Sequence, residues 1–205
     1  TGFSHHDPKV TFFRDMVYFL RSGRTYGRDT IAVSGIVRSV YMLVMIPVFA
    51  FGATANTLTS RLIGEGKQNE VMPTVFKTIG QGLIAILPVL LCCLFIPHTV
   101  LSIYTDDLVL ADASIPSLLV ICCASIAMSF GIPLFEAVSG TGNTTNALIL
   151  ESVVLIAYTF SVWFFASYIS TRVEWVWTSE FTYGALIGLV SWLFMRFASW
   201  QRKKI

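Results

Sequence analysis

Few residues in this chain carry side chains able to do acid–base, nucleophilic or metal chemistry, and their spacing decides among those options. Asp106 and Asp107 with Asp112 approach a Mg²⁺-binding aspartate cluster, but the third acid falls at the wrong offset, so they read as solvated loop charge. His5, His6 and Asp7 form a loose metal-binding group at a chain end, where a frayed terminus is the simpler account. Cys92–Cys93 and Cys122–Cys123 are adjacent pairs, without the spacing of a zinc site or the setting of a structural disulfide. They read as small packing residues, and His98 beside Pro97 has no evident partner. An enzyme needs a nucleophile, a base or a carboxylate set converging at one place. Nothing here converges, so we expect no catalytic residue, no metal ligand and no enzyme; a membrane-embedded enzyme transferring lipid groups is the less favoured alternative.

Three features remain. Glu136 and Glu151 lie on either side of the turn Ser139–Asn146, as charges near a membrane boundary that either anchor the chain or touch cargo or cation. Glu151 is expected in the first turn of its helix, where the dipole favours an acid. Gly52, Asn56 and Ser60 recur every fourth residue and share a helix face, with Thr57 and Thr59 flanking. Such a stripe is either a close helix contact or the lining of a watery cavity.

The elements that must position these residues follow from where charge is missing. The 205 residues include 14 Lys and Arg and 12 Asp and Glu, 13% charged against 55% hydrophobic, and the mean hydropathy is +0.70. Soluble domains carry roughly 25% charged residues. An ordinary soluble domain, a disordered tail and a nucleic-acid binder are therefore excluded. Every charge falls outside five windows: Ser39–Ser60, Thr78–Thr105, Ala113–Phe135, Ser152–Thr171 and Phe181–Met195. A membrane helix needs about 20 mainly apolar residues, and four windows qualify by length. The fifth is short, but Trp175, Trp177 and Tyr183 crowd one end and Trp192 and Trp200 the other, as interfacial belts do. Backbone in lipid must close its own hydrogen bonds, and continuous apolar runs do not alternate as barrel strands would. The expected fold is an all-α integral membrane bundle of five spans, near 39–62, 79–101, 113–137, 148–170 and 177–198.

Pro47, Pro88, Pro116 and Pro133 are expected to kink or start these helices. Residues 31–205 form the bundle, and residues 1–30 a basic segment whose apolar patch, broken by Arg14 and Asp15, is too short to span. Lys and Arg in short loops favour the cytoplasmic side. Arg61, Lys67 and Lys77 after the first span, and Arg196, Arg202, Lys203 and Lys204 in the tail, then place the C-terminus in the cytoplasm, in a cell membrane expected to be the bacterial inner membrane. Five spans put the basic N-terminal stretch on the wrong side, and the chain begins at Thr1 without a signal peptide. Both point to a truncated product, with a further span expected upstream.

The first span ends in Gly52-Ala-Thr-Ala-Asn-Thr-Leu-Thr-Ser-Arg-Leu-Ile-Gly-Glu-Gly66, where Gly64 and Gly66 are ordinary C-capping residues. The third and fourth spans are joined by Ser139-Gly-Thr-Gly-Asn-Thr-Thr-Asn-Ala147, where Thr144 or Thr145 is placed to cap the next helix. These two turns, in this order and with these spans between them, resemble the multidrug and toxic compound extrusion (MATE) transporters over about residues 31–200. The resemblance implies the last five helices of the second six-helix lobe, lacking its first helix. It implies a cation-coupled antiporter in which two lobes rock about a central site, exporting small organic compounds as Na⁺ or H⁺ enters. Its partners are then the lipid bilayer, the organic substrates and a missing N-terminal lobe, with no nucleic acid and no cofactor beyond the coupling ion. In such a lobe the Gly52, Asn56 and Ser60 face and the Ser125 and Ser129 face border the cavity, and Phe130, Tyr158, Phe160 and Trp163 offer stacking or packing surfaces. Some sodium-coupled members carry an Asp before the Gly-x-Gly turn; here Ala124–Gly131 has none. An inactive truncated remnant is the alternative to a working transporter.

Overall fold

A computed structural model describes residues 28–164 and 173–197, and every regular element in them is helical. Helix α1 spans Arg28–Gly64, α2 Val71–Phe95, α3 Pro97–Leu101, α4 Leu108–Gly140, α5 Thr144–Phe164 and α6 Val173–Phe197. Among the described residues, four stretches are long and apolar enough to cross a membrane: Ala32–Gly64, Gln68–Phe95, Leu108–Gly140 and Thr144–Phe164. Helix α6 stands where the fifth span was expected, yet it falls outside those four. Its first half carries Thr178, Ser179, Glu180 and Thr182, which dilute the apolar run.

The helices overrun the uncharged windows because charge marks the edge of the apolar layer and not the end of a helix. Helix α1 starts at Arg28, inside the segment assigned no span, and holds Arg38 on its exposed side. Helix α2 starts at Val71 and includes Lys77. It stops at Phe95 because Ile96 precedes Pro97 and has left helical conformation (φ −132°, ψ 51°). The four membrane prolines all lie within helices, Pro47 in α1, Pro88 in α2, and Pro116 and Pro133 in α4. Expectations for residues 1–27, including His5, His6 and Asp7, for Trp200 and for the basic tail lie outside the described residues, as does the side chain of Trp175.

Helix α4 forms the middle of the bundle, packed against α1 on one side and α6 on the other, with α2 against α1 and α4, and α5 resting mainly on α6. The five long helices, α3 being a single short turn between two of them, alternate in direction, so α1, α4 and α6 run parallel. One apolar cluster lies towards the start of α1, built on Val37, Val40, Val44, Val48, Ile86, Leu118 and Ile121. A second joins Val71, Val75, Ile79, Leu134, Ala137, Ala147 and Met195 at the end that carries Arg61, Lys67 and Arg196; this is the basic end.

Two devices fix the helix ends. Helix α1 closes with a backbone bond from Lys67 N–H to the Leu62 carbonyl (2.8 Å) and another from Gly66 N–H to the Ile63 carbonyl (3.0 Å), with Gly66 at φ +74°. That is a Schellman cap, which requires a left-handed residue at this position. Replacing Gly66 by Ala is expected to lower stability by about 1 kcal/mol through the left-handed backbone, read as a lower unfolding temperature in detergent. Beside it, Glu65 accepts from Lys67 Nζ and Arg61 Nε, each at 2.8 Å. Lys67 first and Arg61 second hold the Glu65 carboxyl down to about 2. At the other end, Asp107 caps α4, its Oδ1 accepting from Val109 N–H (2.9 Å) and Leu110 N–H (3.4 Å). Asp112 lies 3.5 Å from His98 Nδ1, so that histidine has a partner the sequence did not reveal.

Candidate functional site

Two carboxylates anchor polar clusters within the bundle, and they sit near opposite ends. The first was not legible as a site. Glu180, on the second turn of α6, is half-buried and takes one phenol on each oxygen: Tyr158 Oη of α5 donates to Oε1 at 2.7 Å, and Tyr41 Oη of α1 donates to Oε2 at 3.1 Å. Three helices thus meet on one charge. Aromatic rings surround it: Tyr41 packs edge-on against Trp177 with centroids 5.9 Å apart, and Tyr158 edge-on against Tyr183 at 5.5 Å. An acid framed by aromatic faces attracts an organic cation twice, by direct charge and by the negative faces of the rings.

The second cluster contains residues singled out in the sequence. Asn56 Nδ2 of α1 donates to Glu136 Oε2 of α4 at 2.9 Å, and Ser60 Oγ donates to the Gly140 carbonyl at 2.9 Å. The glycines let the helices come this close. A Cβ on Gly52 would stand 2.8 Å from Ile132 Cγ2, and one on Gly140 would stand 2.6 Å from the Asn56 carbonyl oxygen. Asn56 is fifteen residues beyond Tyr41, about 22 Å along the same helix at 1.5 Å per residue.

The Gly52, Asn56 and Ser60 stripe is therefore placed at a close helix contact, with Asn56 half-buried and Ser60 exposed at its edge. Ser125 and Ser129 do not border open space. They are 1% and 2% exposed in the middle of α4, and their hydroxyls bond back to the Ile121 carbonyl (2.7 Å) and the Ser125 carbonyl (2.8 Å). The helix is covered on both sides there, which leaves no polar partner but its own preceding turn. Glu136 sits one turn before the end of α4, as expected, and joins the contact. Glu151 is a correction: α5 begins at Thr144, so Glu151 lies two turns in, beyond reach of the first-turn dipole, half-buried and within electrostatic reach of Tyr183. The cap position belongs to Asn143, whose carbonyl accepts from Ala147 N–H, and not to Thr144 or Thr145.

Of the four aromatics singled out in the sequence, Tyr158 joins a polar cluster. Phe130 lines an apolar groove of about 360 Å³ between α4 and α6 with Phe181 and Trp192. Phe160 contacts Trp163 and Phe164 near the end of α5, with centroids 5.6 and 6.5 Å apart. Cys93 and Cys122 meet thiol to thiol between α2 and α4, as packing residues.

The family model MatE matches residues 10–163, well over half of the chain. The chain belongs to the MatE family. It is a membrane transporter protein of that family, which accords with its apolar helices. No curated protein and no solved structure matches it significantly. The MatE match begins inside the first thirty residues, set apart in the sequence reading as a separate segment, and it ends before α6. The Tyr41 and Tyr158 arms of the aromatic cluster and the whole Asn56–Glu136 contact lie within the matched residues; Glu180 lies beyond them.

Sequence reasoning missed Glu180 because a charge was taken as the boundary of the last span. The signal that locates it is periodic: Trp177 and Tyr183 stand three residues to either side, on the same helix face as the acid.

Proposed function

We propose that this chain forms part of one lobe of a cation-coupled efflux antiporter that exports organic, often cationic, compounds as Na⁺ or H⁺ moves inward. The observation that carries this reading is Glu180, an acid held by two phenols among four aromatic rings in a bundle otherwise poor in charge. Burying a carboxylate this way is costly in a membrane and is the usual mark of a cation path. The basic end, with Arg61, Lys67 and Arg196, faces the cytoplasm of a bacterial cell in this reading, since Lys and Arg gather on that side. A second, pseudo-symmetric lobe completes the central cavity.

The test is export by the intact transporter that carries this lobe. Cells expressing it are expected to hold less ethidium than control cells, and the difference should vanish when both the Na⁺ and H⁺ gradients are collapsed. Export that persists without either gradient removes the coupled reading. Accumulation equal to that of control cells under all conditions leaves the inactive remnant instead.

A further inference from the structure

We propose that the apolar groove between α4 and α6 binds one acyl chain of an anionic phospholipid, whose phosphate is held by Arg196 at the basic end; this goes beyond the efflux reading and does not depend on it.

The groove is a by-product of the glycine contact. Gly131, Gly184 and Gly188 bring the two helices together backbone to backbone, the Cβ position of Gly188 lying 3.2 Å from Gly131 Cα. With Ala127 and Ala185 these glycines leave a floor without bulk, while Phe130 of α4 and Leu189 of α6 stand beside it as exposed walls. Among the described residues its lining holds no charged or hydroxyl group.

Size selects what fills it. A helix is about 10–12 Å across with its side chains, so one laid along the groove beside Phe181 to Trp192 would occupy roughly 1,300 Å³. The groove holds about 360 Å³. It is too small to seat a helix, and a single hydrocarbon chain, the solvent that meets any exposed apolar surface in a bilayer core, enters it.

Helix α6 sets the direction of that chain. Ala185, Leu189, Trp192 and Arg196 follow one another at steps of three and four residues and share one face, so the groove runs straight into Arg196. Indoles such as Trp192 sit at headgroup level, which puts a guanidinium one turn further on among the phosphates. Arg196 is exposed and forms no ion pair among the described residues. Its planar fork matches a phosphate with two parallel hydrogen bonds. A zwitterionic headgroup brings its own ammonium to that phosphate, so an anionic lipid gains more from the arginine.

The experiment uses the intact transporter in phosphatidylcholine vesicles with a trace of phosphatidylglycerol that carries a photoreactive diazirine in its acyl chain. After irradiation, labelling is expected in the segments that hold Phe130 and Leu189. Unlabelled phosphatidylglycerol should compete about fivefold better than phosphatidylcholine of the same chains, a preference lost in Arg196→Gln and kept in Arg196→Lys. Ala185→Phe fills the floor from an exposed position and should abolish labelling of the groove. Labelling of the exposed Leu148 and Val153 on α5 should persist in that variant, which shows that it has folded. Groove segments that stay unlabelled in the parent, because another helix or a second copy covers them, overturn the site. So do labelling unchanged in Ala185→Phe, a phosphatidylglycerol preference that survives in Arg196→Gln, and competition by glycerol phosphate without chains.

Discussion

Adding one methyl group at Gly131 is expected to destabilise the bundle by about 1–3 kcal/mol, towards the upper end of what overpacking costs. The added Cβ would stand 2.5 Å from the Gly184 carbonyl oxygen and 2.7 Å from Ile187 Cγ2. The first obstacle is backbone, so no side-chain rotation relieves it, and α4 and α6 must move apart. Separation also costs the reciprocal contact, since Gly184 in turn stands against the Met128 and Ala127 backbone, and it loosens Ile187, which is fully buried. In lipid no hydrophobic drive pulls helices back together; close packing is what holds them. Alanine does favour helix over glycine by up to about 1 kcal/mol, so the sign depends on which effect is larger, and a backbone clash is the larger. Gly80 supplies the control. It lies within α2 with nothing within 4 Å of its Cβ position, so Gly80→Ala is expected to be neutral or to raise stability by up to about 1 kcal/mol. Unfolding temperatures of the two variants in the same detergent check the pair. A Gly131→Ala protein that melts with or above its parent refutes the packing account.

The same glycines show how far the sequence could be read. The number and class of the elements follow from where charge is absent, because lipid forces any long uncharged run into a helix that closes its own hydrogen bonds. The ends of those helices were displaced by up to eleven residues, as at Arg28 against residue 39, because a helix continues past the apolar layer wherever its charges reach water. Gly66 was legible as a cap, since a left-handed residue there is a local demand of one turn, whereas Gly64 is the last residue of the helix itself. Gly131 and Gly184 were not, because their meaning is a contact between segments fifty residues apart that no local pattern encodes. The candidate sites divide in the same way. The stripe of Gly52, Asn56 and Ser60 announced a face, and the structure supplied what it faces, Glu136 and Gly140. Glu180 depends on Tyr41, 139 residues earlier, so the acid stood only as the charge before the last uncharged window until the fold brought the phenol to it.

That convergence makes Glu180 the residue whose replacement separates stability from function. Glu180→Ala is expected to cost about 1–3 kcal/mol for each phenol left without an acceptor, most severely for Tyr41, which is 9% exposed and has little access to water. Changing both tyrosines to Phe in that background removes the orphaned hydroxyls, so the triple variant should be more stable than Glu180→Ala alone. Additive losses across the three substitutions would show that the hydrogen bonds at 2.7 and 3.1 Å contribute nothing as a unit. Glu180→Gln behaves differently. Its one carbonyl oxygen still accepts a phenol, so the helices stay tied, but the negative charge is gone. A unit charge about 4 Å away is worth about 4 kcal/mol at an effective dielectric near 20. After the cation's own desolvation is set against this, at least a tenfold loss of export for cationic compounds remains. Neutral compounds depend on the rings alone and should be carried by Glu180→Gln as by the parent. Ethidium export by the folded Glu180→Gln transporter, compared with export of an uncharged dye of similar size, reads this difference directly. Equal losses for both dyes would make Glu180 a structural tie, and no loss for either would remove it from the cation path.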